Sequence, residues 1–306
     1  MSEKSGDISA TAPLFEPIIP AVELDLPPHG GRKSAHRILH EPCVSHEIQM
    51  LDIEDIAHLM ADVNDAPYRI FRAVPRTPAP ADGWPVLYML DGNAAFDFIS
   101  AEQLADVPEL VVIGIGQRTD EQFDRIARAR DLSFPDQTER PSATGNQDRA
   151  IGGAPEFIPL LLQGLRERAE AGVAINPAKR TIWGHSLAGL FVLNLMVLHP
   201  DSFARFAAIS PSLWLNPEQF DRVLEAGLPH RSENGLIRLY LASGNREKRT
   251  GSQGPIPTDA PATFHALVAR LSKIDGVEVS HQVYDGAKHI ASLPTSLGPV
   301  LRFAAF

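Results

Sequence analysis

Residues 180–190 read RTIWGHSLAGL, and no other stretch limits the fold as tightly. A short apolar run meets Gly184, His185 and Ser186, and residues 186–198 then continue apolar almost all round. A helix with no polar face has to be covered on every side. A short apolar strand feeding directly into it belongs inside a sheet that helices cover on both faces. The corner between strand and helix strains the residue at its apex and needs small neighbours two positions to either side, here Gly184 and Ala188. The usual pattern is G-x-S-x-G, so Ala188 adds one methyl to it. A serine capping a helix after a glycine turn is common in itself; the apolar strand before Ser186 and the apolar helix after it set this one apart.

Further short apolar runs suit strands at 67–74, 86–90 (VLYML), 110–115 (LVVIGI), 180–183, 237–241 and 277–283. Runs this continuous fit strands buried on both faces. Between them, residues 156–169 place Phe157, Ile158, Leu161, Leu162 and Leu165 on one helical face. Residues 264–271 repeat the spacing, and the last segment does so through Leu297, Val300, Leu301 and Ala304. Alternating strands and helices predict an α/β protein, a mostly parallel central sheet flanked by helices and joined by right-handed crossovers. Residues 1–40 carry Pro13, Pro17, Pro20, Pro27, Pro28 and the pair Gly30 and Gly31 with little periodicity, and are expected to form an extended, partly disordered arm. Residues 41–306 are expected to form a single catalytic domain. One irregular stretch, 134–154, is long enough to suggest a lid or a disordered insert.

The formal charge of −10 argues against a nucleic-acid partner, which would need a basic surface. No apolar run approaches the ~18–20 residues that span a bilayer, so no membrane partner is expected. The polar, acidic start has no basic and apolar leader, and Cys43 is the sole cysteine, which excludes an internal disulfide framework and a cysteine-based zinc site. A reduced, cytoplasmic setting is the expectation. The sequence leaves the oligomeric state open.

Ser186 at a helix N-terminus lies where unpaired N–H groups favour negative charge, so the Leu187 amide is a natural oxyanion donor. A serine hydroxyl needs a base, and the base an orienting acid, in the chain order Ser, acid, His. Of 11 histidines, five follow Ser186: His199, His230, His265, His281 and His289. Only His289 follows a strand in a loop that precedes the last helix, where the base belongs. The acid should follow the preceding strand. Glu247 is the first carboxylate there, with Asp285 and Asp259 in reserve and a Ser–His dyad as a further option. A second oxyanion donor is expected from the turn after VLYML: Gly92 would let the backbone approach a ligand closely, and the Asn93 amide would point at it.

These motifs resemble the "Putative esterase" family of α/β-hydrolases, which includes enterochelin-type siderophore esterases and esterase D. The matching stretches are PVLYMLDGNAAF (85–96), VVIGIG (111–116), RARDLSF (128–134), GGAPEFI (152–158), RTIWGHSLAGLF (180–191), ISPSLWLN (209–216), SGNRE (243–247) and DGAKHIASLP (285–294). The resemblance implies the α/β-hydrolase fold, with Ser186 as nucleophile, Glu247 as acid, His289 as base and the amides of Leu187 and Asn93 as oxyanion donors. Within the family the siderophore-esterase branch looks closest. By that likeness Arg128 or Arg130 would face an anionic siderophore and Trp214 would wall the pocket. Read from the residues alone, Arg130 would instead pair with a carboxylate, and Trp214 would belong to the core. The implied substrate is a small ester, such as a ferric siderophore of the trilactone type, with no metal or organic cofactor taking part. The alternatives are a general carboxylesterase or thioesterase, among them an S-formylglutathione hydrolase, an acyltransferase, and a non-catalytic ligand-binding protein on the same fold.

Overall fold

The computed structural model describes residues 33–53, 68–135, 152–215, 217–225, 235–248 and 253–306. Among the described residues, eight strands form one sheet: β1 (His46–Ile53), β2 (Tyr68–Pro75), β3 (Trp84–Leu90), β4 (Val111–Gln117), β5 (Ile175–His185), β6 (Arg205–Ile209), β7 (Ile237–Gly244) and β8 (Val277–Tyr284). Their order across the sheet is β1-β2-β4-β3-β5-β6-β7-β8. The pairs β1–β2 and β2–β4 run antiparallel and every later pair runs parallel. This is the α/β-hydrolase arrangement that the resemblance implied.

Continuous apolar strands arise because both faces are covered. Along β3, Val86, Tyr88 and Leu90 belong to one core, and Leu87 and Met89 to the other. The first core takes α6 (Leu187–Leu198), which lies on β5 and β6 and contacts α3 (Arg125–Leu132) and α7 (Pro217–Glu225). The second core takes α1 (Gly92–Phe98), α2 (Ala101–Ala105) and α9 (Ser292–Ala305). The helix expected over 156–169 is α4 (Ala154–Leu160) and α5 (Arg166–Glu170), joined by a π turn at Leu161–Leu165. Pro159 supplies no N–H to that helix. α8 (Ala262–Leu271) covers β8.

Residues 1–32 of the expected arm and 136–151 of the expected lid lie outside the described residues. Residues 33–40 are docked: Ile38 is fully buried, and the Ser34 hydroxyl (2.7 Å) and the His36 amide (2.6 Å) donate to Asp97 of α1. The two ends of the 134–154 stretch are tied together, because the amides of Gly152 and Ala154 donate to Ser133 at 2.7 and 3.0 Å.

Candidate active site

β5 ends at His185, α6 starts at Leu187, and Ser186 between them takes φ 61° and ψ −116°. A non-glycine residue there costs roughly 1–3 kcal/mol. Two backbone bonds hold it: the Ser186 amide donates to Ile209 (2.9 Å), and the Ser212 amide donates to the Ser186 carbonyl (3.1 Å). A Cβ on Gly184 would sit 2.4 Å from the carbonyl oxygen of Ala188 and 3.0 Å from its methyl. The corner therefore accommodates the Ala188 methyl only because Gly184 has none.

His289 lies in the loop between β8 and α9, with Nε2 2.9 Å from Ser186 Oγ and Nδ1 2.8 Å from Glu247 Oε2. A carboxylate only accepts, so Nδ1 carries the proton and Nε2 is free to accept from the serine. The other carboxylate oxygen, Oε1, accepts from the Gly244 amide (2.7 Å), from Ser243 Oγ (3.1 Å) and, at close range, from Ser210 Oγ. Burial pushes the Glu247 carboxyl up, but the hydrogen bond and charge of His289, with the Ser210 and Gly244 donors, outweigh it and hold its pKa below the usual carboxylate range. The loops carrying acid and base interlock. The Arg246 amide donates to Ala287 (3.0 Å), the Gly286 amide donates to Asn245 Oδ1 (2.8 Å), and a Cβ on Gly244 would stand 2.1 Å from the Ala287 carbonyl oxygen. The reserve acids lie elsewhere: Asp285 accepts from Asn245, and Asp259 accepts from Ala260 and His265.

Sequence reasoning missed the hydroxyls and the histidine behind this line. Ser210, itself at φ 45°, reaches Ser292 Oγ at 2.7 Å, and Ser292 donates to the His289 carbonyl at 2.6 Å. His185 Nε2 lies 2.8 Å from the same carbonyl, and its ring packs 5.0 Å from the His289 ring. Burial, then the neighbouring His289 charge, push His185 down to about 3, so it is neutral and donates through Nε2. Ser212 Oγ lies 3.0 Å from Ser186 Oγ. Its place in ISPSLW was visible in the sequence, but nothing there told which serine would face the nucleophile.

The turn after β3 corrects one expectation. Asp91, not Gly92, takes the left-handed conformation, with φ 53°. Gly92 is buried, and a Cβ on it would lie 2.7 Å from the backbone of Gly114, so its smallness serves strand packing instead of ligand approach. Asn93, second in α1, and Leu187, first in α6, hold positions whose amides have no acceptor within their own helix. Arg130 is corrected too. It is 4% exposed, its Nε donates to Asp131 (2.6 Å) and its Nη2 lies 3.4 Å from the Tyr68 hydroxyl, so it pins buried structure as the residue-based alternative had it. Arg128 is 16% exposed at its side chain and bridges Asp91 Oδ1 (2.7 Å) and the His185 carbonyl (3.1 Å). Trp214 is 47% exposed, which removes it from the core.

A family model described as "Putative esterase" matches residues 65–298. Ferri-bacillibactin esterase BesA of Bacillus subtilis is 32% identical over 251 residues, covering 78% of this chain and 84% of that protein. Apo-salmochelin esterase of Escherichia coli is 38% identical over 150 residues, 48% of this chain and 47% of that one. Among solved structures, enterobactin and salmochelin hydrolase IroE superposes with a TM-score of 0.66 at 26% identity, covering 88% of this chain and 99% of that one.

Proposed function

This chain belongs to the "Putative esterase" family, and from that premise we propose a serine esterase whose nucleophile is Ser186 and whose substrate is an ester-linked siderophore. The observation that carries the reading is the His289 ring, bonded to Glu247 on one nitrogen and to Ser186 on the other, at 2.8 and 2.9 Å. His289 Nε2 takes the Ser186 proton as Oγ attacks the ester carbonyl, and Glu247 stabilises the imidazolium that forms. The amides of Leu187 and Asn93 receive the oxyanion, an interaction worth about 3 kcal/mol per donor in such sites. His289 then protonates the leaving alkoxide and the carbonyl re-forms as an acyl-enzyme. Water, deprotonated by the same imidazole, attacks that ester, and collapse of the second intermediate returns the proton to Ser186 and frees the acid.

Two observations support a siderophore as the ester. Relatives of this chain are named for such substrates. Large apolar side chains close in the chain to site residues are exposed, Ile126 at 61%, Trp214 at 47% and Ile290 at 42%, and each offers contact to an apolar or aromatic ligand. Iron enters only as part of that substrate. Cleavage after import would occur in the cytoplasm, the setting read from the lone Cys43; among the described residues no helix is long and apolar enough to cross a membrane.

The test is a hydrolysis panel read by mass spectrometry, with ferric and iron-free trilactone siderophores, short p-nitrophenyl esters and S-formylglutathione, beside fluorophosphonate labelling. Linear siderophore fragments and labelling lost in Ser186→Ala are expected. Turnover of short esters alone would replace the siderophore with a general ester substrate. Undiminished labelling of Ser186→Ala would remove the nucleophile.

A further inference from the structure

The sequence offered Arg128 as a contact for an anionic substrate. Its surroundings give it work inside the protein. Nε donates to Asp91 Oδ1 at 2.7 Å, Nη2 donates to the His185 carbonyl at 3.1 Å, and the guanidinium carbon lies 5.5 Å from the centre of the Phe123 ring. Asp91 is 3% exposed at its side chain, and its second oxygen is buried without a hydrogen-bond partner. It precedes α1 but does not cap it. Arg128 is thus its sole side-chain partner among the described residues.

The two acceptors sit at matching places. Asp91 stands two residues before Asn93, and His185 stands two residues before Leu187. One acceptor belongs to a left-handed turn at the end of β3. The other is the peptide carbonyl that enters the Ser186 corner at the end of β5. A planar fork is suited to spanning two acceptors in fixed geometry, which a lysine ammonium is not. Building on the proposed esterase reading, we propose that Arg128 is a positioning residue that fixes the separation of the two oxyanion amides, Asn93 and Leu187, by tying their loops together. Its effect then falls on every ester, charged or neutral. An arginine that only attracted an anion would matter for anionic substrates alone.

The experiment follows a neutral ester, p-nitrophenyl butyrate, with wild type, Arg128→Ala, Arg128→Lys and Asp91→Ala, each checked for a wild-type circular dichroism spectrum. The expected result is a kcat loss of ~10²-fold in all three variants with KM within about twofold. The lysine variant, which keeps the charge, should fare no better than the alanine variant. Wild-type kcat in Arg128→Ala or Arg128→Lys would overturn the proposal, as would a defect confined to KM for anionic esters. If Arg128→Ala does not fold, Asp91→Ala decides: it removes the acceptor and leaves the arginine's charge in place, and wild-type turnover by it overturns the staple. Absence of turnover by the wild-type chain of both p-nitrophenyl butyrate and the trilactone siderophores would overturn the esterase reading and the staple with it, whereas wild-type turnover matched by the variants overturns the staple alone.

Discussion

Glu247 is a carboxyl group whose burial favours the protonated form. It stays charged because His289, Ser210, Ser243 and Gly244 surround it with donors. Glu247→Gln keeps the size but offers only one accepting oxygen where the acid uses two. We expect kcat to fall by about 10²- to 10⁴-fold, with KM little changed, because the amide disturbs the tautomer of His289. Steady-state kinetics on a short ester checks this, and a full rate would assign the acid elsewhere or leave a dyad. Ser186 and His289 were legible because each occupies a local pattern: an apolar strand and helix around one, a strand and a helix around the other. Glu247 was legible only as the first carboxylate in its loop. Ser210 and Ser292 were not, since their bond joins hydroxyls 82 residues apart and no local pattern marks them.

The corner between β5 and α6 shows how an element's ends depend on single atoms. Gly184→Ala would put a methyl 2.4 Å from the Ala188 carbonyl oxygen. Relief requires opening the turn, so we expect a loss of ~2 kcal/mol or more in stability together with loss of fluorophosphonate labelling. Gly164→Ala is the control, because a Cβ there meets nothing closer than 3.5 Å. Thermal melts and labelling of both variants check the pair, and normal labelling of Gly184→Ala would remove the steric account of the corner. The strands whose runs are apolar on both faces were legible. β1 was not, because it is an edge strand of mixed burial, and neither was β6, because five residues with two alanines give little pattern. α1 was hidden because Asp-Gly-Asn reads as a turn, and only the packing of Gly92 on Gly114 makes it a helix start.

At the scale of the whole molecule, buried groups tie folding to pH. His185 falls from the usual 6.5 to about 3 through burial, with the His289 and Arg128 charges lowering it further and the His289 carbonyl and Glu247 opposing. His46 is lowered as well, first by burial. The unfolded chain therefore takes up protons below about pH 6.5 that the folded chain refuses. Stability from His185 is complete above that value and is lost progressively down to about pH 3, at up to ~1.4 kcal/mol per pH unit. Glu247 acts in the same direction: its folded pKa is depressed, so its contribution is present above the unfolded carboxylate value and lost as pH falls through the folded one. Urea unfolding at pH 8 and pH 5 should show lower stability at pH 5, and His185→Gln should flatten the difference. An unchanged pH dependence in that variant would exclude His185 as a source.

The sequence by itself determined the layered α/β architecture, the strained corner at Ser186 and the place of His289 after the last strand. These follow from residues near one another in the chain, through apolar periodicity and the small neighbours that a sharp turn demands. Only the tertiary structure decided that Glu247 meets His289, that Arg130 is spent on Asp131 and Tyr68, and that Arg128 joins Asp91 to His185. The physical reason is that a hydrogen bond needs its two groups within about 3 Å in the right direction. Between residues tens of positions apart, that distance is set by how the strand ends line up across the sheet.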